Sequence, residues 1–304
     1  MNYSVVVVTY NRKELLRECL ENLYNQTLPF AEIIVINNGS IDGTEEFLNQ
    51  QKLQHRNLFV YHMKKNLGGA GGFSFALSKL NVKSDYVLII DDDAIINIDF
   101  LECIQSKMVP EVLAYSGTIK TNGKIDTSHR RRITNSILLL KEDVDVKEYQ
   151  KESFDYDLST FCGLMVCTDI IKKIGLPRRD YFIWYDDTEY SIRIRKHTKI
   201  RNINSAKINH KANSSYVTEL NWKSFYGYRN ALDMGKRHST IPFLYQWYRI
   251  TYHIYRVIEY KVKYLCAKNA ERKKYYEFCY NLHIDVIHAT KKKQLGMDTK
   301  YMPK

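Results

Sequence analysis

The sequence contains no hydrophobic stretch that approaches the roughly 20 residues needed to span a bilayer. It also lacks a Cys-x-x-Cys pair, since its six cysteines are scattered along the chain. The N-terminus enters a predicted strand without a basic segment or a cleavage site, so we expect no signal peptide. These features argue against a transmembrane protein and against a disulfide or zinc scaffold. We expect a reduced, cytoplasmic protein with buried thiols. Peripheral contact with the inner face of the cell membrane is compatible with these features.

The positive charge is concentrated at one end of the chain. The 304 residues carry a net charge of +12. Residues 220–304 hold 17 Lys and Arg against 6 Asp and Glu, whereas residues 1–219 are nearly balanced. Such a basic segment attracts anions in general, including nucleic acid, anionic lipid and pyrophosphate. Plain solubility is the alternative explanation.

Short apolar runs alternate with helical patterns in the first ninety residues. The four predicted strands are Val5–Val8, Ile33–Ile36, Leu58–His62 and Tyr86–Ile90. A first helix is expected to begin at Asn11, with Glu14 completing a capping box, and a second covers Asp42–Gln51. Uninterrupted apolar strands separated by helices predict an α/β fold with a mostly parallel central sheet.

Three carboxylates, Asp91, Asp92 and Asp93, follow the fourth strand directly. They would repel one another and lose hydration at the strand end, and a hard divalent cation offsets both costs. The carboxyl edge of an open α/β sheet is also where ligands bind. This pattern favours a site for Mn²⁺ or Mg²⁺ that bridges to a phosphate, and a solvated acidic turn is the alternative.

A glycine-rich segment, residues 66–73, follows the third predicted strand. Its four glycines within five residues would let backbone amides approach phosphate or sugar oxygens, with a helix continuing from Phe75 to Leu80. The dinucleotide fingerprint does not fit, because the third glycine would fall on Ser74. A purely structural loop is the alternative.

Five segments in register resemble the family 2 glycosyltransferases, which have the GT-A nucleotide-sugar-binding fold. These segments are residues 7–12, 37–44, 66–73, 91–93 and 184–190, and the resemblance spans about residues 3–215. The glycine-rich segment and the acidic residues 186–189 look most like the galactofuranosyltransferase and rhamnosyltransferase branch. The resemblance implies a GT-A catalytic domain over residues 1–219. A basic, aromatic-rich helical region would then occupy residues 220–304.

The resemblance also implies which residues bind the donor and the metal. The implied donor-binding residues, which contact base, ribose, diphosphate or sugar, are Thr9, Asn11, Arg12, Asn38, Lys65, Asn66, Gly69 and Asp92. The implied metal ligands are Asp91, Asp93 and His210, and mixed oxygen and imidazole ligation suits Mn²⁺. Asn38 stands where many relatives carry an aspartate, which weakens the inference to a particular base.

The second acidic segment is where the resemblance places the chemistry. Asp187 is implied to be the general base that removes the acceptor hydroxyl proton. Asp186 or Glu189 would position acceptor hydroxyls, and Trp184 and Tyr185 could stack on a sugar face. The alternative is structural, because carboxylates are favoured in the first turn of a helix.

The C-terminal region predicts an amphipathic helix from Phe243 onward, with apolar positions at spacings of three and four. The apolar stripe consists of Leu244, Tyr248, Thr251, Tyr255, Ile258, Val262 and Leu265. Packing against the catalytic domain and binding to an anionic membrane surface are both compatible with this pattern. Upstream, the Arg130–Arg132 run could bind a diphosphate, although a solvated loop is the simpler interpretation.

The hypothesis with most support is an inverting, metal-dependent glycosyltransferase that uses a nucleoside diphosphate sugar, with UDP favoured. The transferred sugar would be galactofuranose or, second, rhamnose, and the acceptor a glycan on a lipid pyrophosphate carrier. A nucleotidyltransferase would need no second acidic segment. The third hypothesis is a nucleic-acid-binding protein. The Asp91–Asp93 triplet would repel the phosphate backbone of a nucleic acid, so we expect no nucleic acid partner. A catalytically inactive glycan-binding relative is also possible.

Overall fold

The computed structural model describes residues 1–81, 83–211, 219–292 and 295–302. The chain forms two compact units. The first consists of Met1–Arg132, Glu142–Arg179 and Asp186–Ser215, and the second of Ile133–Lys141, Asp180–Tyr185 and Tyr216–Lys304. The division expected from sequence lay at residues 219 and 220, just after the undescribed residues 212–218. In the structure, two short internal segments also belong to the second unit.

The first half of the sheet in the first unit is entirely parallel, in the order β4-β1-β2-β3. Its strands are β1 (Tyr3–Thr9), β2 (Glu32–Asn37), β3 (Leu58–His62) and β4 (Tyr86–Asp91). The helices between them are α1 (Lys13–Tyr24), α2 (Thr44–Gln54) and α3 (Gly68–Leu77). The four predicted strands and the α/β fold class are confirmed. Because the strands are parallel, their carboxyl ends meet at one edge, with Val8 beside Asp91 and Thr9 beside Asn37.

The second half of the sheet is mixed and follows the order β10-β13-β6-β12-β4. The elements from residue 94 to 143 are β5 (Ala94–Ile96), α4 (Phe100–Gln105), β6 (Ala114–Thr121), β7 (Lys124–Ile125), β8 (Arg130–Asn135) and β9 (Leu140–Asp143). Those from 153 to 210 are β10 (Ser153–Tyr156), β11 (Leu158–Ser159), β12 (Leu164–Cys167), α5 (Thr168–Ile174), α6 (Asp186–Arg195) and β13 (Ile200–His210). Three-residue 3-10 turns cover Thr127–His129 and Arg179–Tyr181, and a five-residue one covers Val146–Gln150.

Alternate residues of the central strands enter two separate cores. Val5 and Val7 of β1 pack into one core with the apolar face of α1, and Val6 and Val8 pack into the other with α3. Burial on both faces explains why these strands are continuous apolar runs instead of alternating patterns.

The predicted capping box at the start of the first helix is wrong. Helix α1 begins at Lys13, and no side chain of its own caps it. Asn11 instead adopts φ 53°, and its Oδ1 accepts a hydrogen bond from the backbone nitrogen of Ile41. The first helical amide, that of Lys13, donates to Asp42 Oδ2. The capping therefore comes from the neighbouring strand-end loop, which spacing within one segment does not reveal.

The glycine-rich segment also differs from the prediction, because its glycines form the first turns of α3 instead of a loop. A Cβ on Gly72 would lie 2.6 Å from Val8 Cγ1, so this glycine lets α3 pack closely against β1. A Cβ on Gly69 would meet nothing within 4 Å. Close packing of α3 against β1 thus requires glycine at position 72, whereas no such contact requires glycine at position 69.

The Arg130–Arg132 run lies on β8, so its interpretation as a solvated loop is wrong. Arg130 is 1% exposed. Its guanidinium donates to the carbonyl oxygens of Gly117, Cys162 and His129. This arginine holds backbone segments of the first unit together and has no free donor face for a diphosphate.

The second unit contains three long helices, α7 (Trp222–His238), α8 (Pro242–Cys266) and α9 (Ala270–Lys291). Asn221 begins α7 with a capping box to Ser224, and Pro242 occupies the first turn of α8. His253 of α8 and His283 of α9 are fully buried, with their Nδ1 atoms 2.8 Å apart. No helix in the described ranges is long and apolar enough to cross a membrane.

The apolar stripe predicted for α8 is exposed along its whole length. Val262 and Leu265, for example, are 53% and 77% exposed. The buried positions of α8 are instead Tyr245, His253 and Tyr260. The helix is therefore amphipathic as predicted, but the residues that it buries are not those of the predicted stripe.

Candidate active site

The acidic triplet lies at the carboxyl edge of the sheet, where Asp91 ends β4 and Asp92 and Asp93 form the turn toward β5. Asp92 and Asp93 are 3% and 5% exposed, so this is not a solvated acidic turn. Arg12, at the end of β1, places Nη1 3.2 Å from Asp92 Oδ1 and 2.6 Å from Asp93 Oδ2. One guanidinium thus partly neutralises two buried carboxylates.

Burial and mutual repulsion act on the ionisation of this triplet. Burial, together with the charges of Asp93 and Asp92, raises the pKa of Asp91 to about 7. Burial also raises the pKa of Asp92 to about 6, although the charge of Arg12 opposes the shift. Groups with these pKa values hold a proton easily and give it up when a cation binds beside them.

Asp93 pairs with the last residue of β13, His210, across an Nε2–Oδ1 distance of 3.4 Å. Burial alone would raise the pKa of Asp93, but the hydrogen bond and charge of His210, together with Arg12, lower it. The same contact raises the pKa of His210 against the effect of burial. The predicted metal ligands Asp93 and His210 therefore lie together, and Asp91, two residues before Asp93, interacts with both electrostatically.

Two further residues with metal-binding side chains face His210. Asp126, just after β7, and His129, at the end of the following 3-10 turn, each present a ligand atom, and these atoms and one of His210 all lie within 4.8 Å of one another. The sequence prediction missed this pair. The available signal was the Asp-x-x-His spacing at a strand end, which is weak without knowing that β7 pairs with β6 beside His210.

The donor sets present suit a divalent cation. Carboxylate oxygens fit Mg²⁺ or Mn²⁺, and imidazole nitrogens shift the preference toward Mn²⁺ and its transition-metal neighbours. Candidate ligands are Asp91, Asp93 and His210, with Asp126 and His129 adjacent. His210 Nδ1 is buried and has no hydrogen-bond partner among the described residues, which is the kind of atom that a ligand would satisfy.

Asn38 connects the second strand end to the start of α3. Its Oδ1 accepts from the amide of Leu67, and its Nδ2 donates to Asn66 Oδ1 and to the carbonyl oxygen of Gly68. Asn66 Oδ1 also accepts from the amide of Gly68. The side chains of Asn38 and Asn66 are thus used to shape the turn into α3, and Gly69 is the member of this turn that faces open space.

The remaining predicted donor residues lie near the ends of β1 and β3. Thr9 is buried, whereas Asn11 and Lys65 are exposed. An open cavity of about 440 Å³ is lined by Asn11, Arg12, Lys13 and Asp42 among others. Its position at the carboxyl end of β1 is where α/β sheets of this kind bind ligands.

Helix α6 begins with the second acidic segment, as the sequence indicated. Burial and the charges of Asp187 and Asp91 raise the pKa of Asp186 well above its usual range. Asp187 is half-buried, and its Oδ1 accepts from the backbone nitrogen of Thr188 at 2.5 Å and from the Thr188 hydroxyl at 3.0 Å. Because the charge of Asp91 acts on Asp186, the two acidic segments of the first unit are electrostatic neighbours.

Glu189 has a different environment from the two aspartates. It is 2% exposed, and its Oε2 accepts from Nε and Nη2 of Arg193 at 3.1 and 2.8 Å. This (i, i+4) pair is an intrahelical contact. The structure therefore gives Glu189 a partner within α6, and the positioning role predicted for it stays a prediction.

Trp184 and Tyr185 belong to the second unit, in the segment Asp180–Tyr185. Phe182, Trp184 and Tyr185 all have φ between 65° and 69°, a left-handed conformation that bulky residues rarely adopt. Asn230 of α7 donates from Nδ2 to the carbonyl oxygens of Tyr181, Ile183 and Trp184. Asn230 thus holds the segment that continues into Asp186.

The sequence model described as "Glycosyl transferase family 2" matches residues 4–171, more than half of the chain. The chain belongs to glycosyl transferase family 2. This match includes β1 to β4, the acidic triplet and the Asp126–His129 pair, and it ends before the second acidic segment.

Two curated relatives show the range of this family. A poly(ribitol-phosphate) beta-glucosyltransferase of Bacillus spizizenii is 37% identical over 95 residues, which cover 31% of this chain and 15% of the relative. The galactofuranosyltransferase GlfT1 of Mycolicibacterium smegmatis is 25% identical over 195 residues, covering 62% of this chain and 64% of that protein. The chain thus spans only part of the length of the curated relatives that it matches.

A solved structure shares the fold over almost the whole chain. The crystal structure of GalNAc-T7 with UDP, GalNAc and Mn²⁺ superposes with a TM-score of 0.66 at 14% identity, covering 97% of this chain and 58% of that one. At this identity the likeness shows the fold alone, which is the GT-A fold expected from the sequence.

Proposed function

We propose that this protein is an inverting, metal-dependent glycosyltransferase that moves a sugar from a nucleoside diphosphate donor to a glycan acceptor. The observation that carries the proposal is the electrostatic proximity of Asp91 to Asp186, the residue before Asp187. A cation site and a carboxylate that can act as base then belong to one unit. Inverting transfer needs this pairing, because the acceptor hydroxyl attacks the anomeric carbon on the face opposite the departing diphosphate.

The donor would lie along the carboxyl edge of the parallel strands. Asn11, Arg12 and Thr9 would contact base and ribose at the end of β1, where the open cavity lies. Gly69, at the N-terminus of α3, would let the diphosphate or sugar approach the backbone closely, and Lys65 and Asn66 are its neighbours. GalNAc-T7 was solved with UDP, and this supports UDP as the nucleotide, with Asp92 and Asn38 beside the ribose.

A divalent cation bound by Asp91, Asp93 and His210 would supply charge neutralisation for the departing diphosphate. The acceptor oxygen forms a bond to the anomeric carbon while its proton passes to Asp187. The bond from that carbon to the diphosphate oxygen breaks, and the nucleoside diphosphate leaves with the bonding electron pair. Burial and the charge of Asp187 raise the pKa of Asp186, which disfavours a second full negative charge beside Asp187.

Galactofuranose is the first candidate for the transferred sugar and rhamnose the second. The first is supported by the GlfT1 relative, whose similarity covers the largest share of this chain among the relatives described above. The residues proposed to bind the acceptor include Trp184, which is 44% exposed, together with Tyr185 and Asp186. The catalytic domain would be residues 1–219, and residues 220–304 would serve the acceptor or its carrier.

A lipid-linked acceptor would explain the exposed face of α8. Phe243, Trp247 and Leu265 are 80%, 60% and 77% exposed on a helix that also carries Arg249, Arg256 and Lys263. An apolar aromatic face flanked by basic residues is suited to anionic bilayers, where the helix lies in the interface. The protein would then act at the inner face of the cell membrane, where a lipid pyrophosphate carrier is anchored.

The transfer reaction is tested with a panel of uridine and deoxythymidine diphosphate sugars, with and without Mn²⁺. We expect release of the nucleoside diphosphate from one UDP-sugar, abolished in Asp187→Asn, while UDP binding by calorimetry stays within about threefold of the unmodified protein. Asp169→Asn, an exposed acid on α5, is the matched control. Release of the sugar 1-phosphate, which accompanies transfer of the uridylyl group, would indicate a nucleotidyltransferase instead, and normal turnover by Asp187→Asn would remove Asp187 as the base.

Membrane binding is tested separately by co-sedimentation with anionic phosphatidylglycerol vesicles and neutral phosphatidylcholine vesicles. We expect binding to the anionic vesicles, weakened by added salt and by the double substitution Trp247→Ser, Leu265→Ser. Exchanging the exposed Leu53 of α2 for Ser is the control. Equal recovery of protein with and without vesicles would contradict the proposed role of α8.

A further inference from the structure

Asp126 and His129 lie close to His210 and are not among the residues that the family resemblance assigns to the metal. They come from the segment between β7 and β8, where no functional residue was predicted. One ligand atom each from Asp126, His129 and His210 lie within 4.8 Å of one another. Ligands on one ion at about 2.1 Å are at most about 4.2 Å apart, so shifts of under an ångström would close this set.

Each of the two additional side chains is already oriented by a second contact. His129 Nδ1 is 2.8 Å from Thr160 Oγ1, which leaves Nε2 directed toward Asp126 Oδ2 at 3.6 Å. Asp126 Oδ1 accepts from the amide and hydroxyl of Ser128, and its Oδ2 accepts from the Thr121 hydroxyl. Metal-binding histidines and carboxylates are typically held in this way by hydrogen bonds from their other atoms.

The His210 ring contacts members of two sets of candidate ligands. Its Nε2 faces Asp93, while its ring centroid is 5.0 Å from that of His129, with the rings nearly perpendicular. Its Nδ1 is buried without a hydrogen-bond partner among the described residues. The imidazole of His210 is therefore close to both Asp93 and His129.

We propose that Asp126 and His129 are ligands, together with His210, of a divalent transition-metal ion at the candidate active site. Two imidazole nitrogens and one carboxylate oxygen form a donor set that suits Mn²⁺, Co²⁺ or Zn²⁺ and suits Mg²⁺ poorly. This assignment rests on the proposed metal dependence and adds to it, because a site of Asp91, Asp93 and His210 has one nitrogen only. The segment between β7 and β8 thereby sets the identity of the metal.

The first experiment measures metal binding without any sugar. Metal-free full-length protein is titrated with Mn²⁺, followed by electron paramagnetic resonance, and with Co²⁺, followed by visible absorption. We expect His129→Ala and Asp126→Asn each to weaken binding at least tenfold, a typical effect of losing a group that holds or orients a metal. Exposed residues of the same types give the controls, His197→Ala and Asp143→Asn, which should bind as the unmodified protein does. Mn²⁺ affinity of His129→Ala within twofold of the unmodified protein would overturn the proposal.

The second experiment separates direct ligation from a structural role. A thiolate ligand favours soft metals, so His129→Cys should lose Mn²⁺ affinity and gain Cd²⁺ affinity relative to His129→Ser. A new thiolate-to-metal charge-transfer absorption should accompany Cd²⁺ binding in His129→Cys and be absent from His129→Ser. If the two variants bind Cd²⁺ equally and show equal absorption, His129 is not a ligand.

A third variant distinguishes failure of this inference from failure of the proposed function. Asp187→Asn should retain the full Mn²⁺ affinity, because Asp187 is not among the proposed ligands. Loss of Mn²⁺ binding only in Asp91 and Asp93 variants would reject Asp126 and His129 while leaving a metal-dependent transferase intact. Normal Mn²⁺ binding that depends on His129, without transfer to any acceptor, would support the ligand set and count against the transfer reaction.

Discussion

Arg12 Nη1 lies 2.6 Å from Asp93 Oδ2, so a side chain predicted to contact the donor is bound to a predicted metal ligand. Arg12 is half exposed while Asp93 is buried. A cation bound by Asp93 would therefore compete with this guanidinium for the same carboxylate oxygens. Under the proposed function, donor binding, metal binding and the position of Arg12 would be coupled through Asp93.

This coupling predicts the behaviour of Arg12→Ala. Removing the guanidinium leaves Asp92 and Asp93 buried without a positive neighbour on that side, and we expect the unfolding free energy in EDTA to fall by about 1 kcal/mol, reduced by solvent screening. Added Mn²⁺ should then raise the melting temperature more than it does in the unmodified protein. Thermal melts with and without Mn²⁺ measure both effects. Lys172→Ala, which breaks an exposed pair with Asp169, is the control, and an equal Mn²⁺ shift in Arg12→Ala and the unmodified protein would contradict the competition.

Asn230 stabilises a strained segment of the second unit, and its loss should be costly. Its buried amide donates to three carbonyl oxygens at 2.9 to 3.0 Å, and its Oδ1 accepts from Arg229. Unsatisfied buried carbonyl groups cost about 1–3 kcal/mol, so we expect Asn230→Ala to lower the unfolding free energy by about 2–3 kcal/mol in urea titrations. Segment 180–185 should become more sensitive to limited proteolysis.

Asn49→Ala, at an exposed position of α2, provides the control for Asn230 and should change the unfolding free energy by less than about 0.5 kcal/mol. Phe182, Trp184 and Tyr185 have strained φ angles. Protease cleavage of the segment that contains them is therefore a second measurement beside the urea titration. If Asn230→Ala unfolded at the same urea concentration and resisted protease as the unmodified protein does, the amide would not be what holds this segment.

The buried His253–His283 pair predicts loss of stability in mild acid. Burial lowers the pKa of His253 to about 2 and that of His283 to about 4, and the charge of Arg249 adds to both shifts. Below the ordinary histidine pKa of about 6.5, both histidines bind protons in the unfolded chain but stay neutral in the folded protein. The contribution of this pair to the unfolding free energy is therefore fully present above pH 6.5, and it decreases as the pH falls toward 4.

We expect the contribution of this pair to lower the unfolding free energy by about 2–3 kcal/mol between pH 6.5 and pH 5. The double substitution His253→Asn, His283→Asn keeps amide hydrogen bonding at the Nδ1 positions but removes the titration. Between pH 6.5 and pH 5, the unfolding free energy of this variant should fall by about 2–3 kcal/mol less than that of the unmodified protein. Parallel pH profiles for the two proteins, from urea titrations, would refute the assignment.

The sequence predicted the elements whose signals are local and continuous. The strands β1 to β4 are runs of buried β-branched residues, and no other local structure fits such runs next to amphipathic helices. The acidic triplet was recognised because three adjacent carboxylates at a strand end have few structural explanations. His210 was placed by the resemblance, and the structure brings it to Asp93.

The features that the sequence did not predict depend on pairing between distant segments. Asp126 and His129 approach His210 only because β6 pairs with β13 on one side and with β7 on the other. Asp42 caps α1 from a neighbouring loop, which no spacing within α1 can reveal. Arg130 looked like part of a solvated basic run, because its burial follows from carbonyl oxygens contributed by Gly117 and Cys162.

The glycine-rich turn offers a test in which stability and donor binding separate. A Cβ on Gly72 would lie 2.6 Å from Val8 Cγ1, whereas one on Gly69 would meet nothing within 4 Å. We expect Gly72→Ala to lower the unfolding free energy by about 1–3 kcal/mol through overpacking. Gly69→Ala should leave it unchanged or raise it by up to about 1 kcal/mol, because alanine favours the helix.

Donor binding should respond in the opposite order if the diphosphate or sugar approaches the backbone at Gly69. We expect Gly69→Ala to weaken UDP-sugar binding at least tenfold in calorimetry, because the added methyl group occupies the space that the ligand needs. Gly123→Ala is unsuitable as a control because of its φ of 77°, so Ser78→Ala at the end of α3 serves instead. Unchanged UDP-sugar affinity in a stable Gly69→Ala protein would show that the donor does not pass over this turn, and the glycine would then need a different explanation.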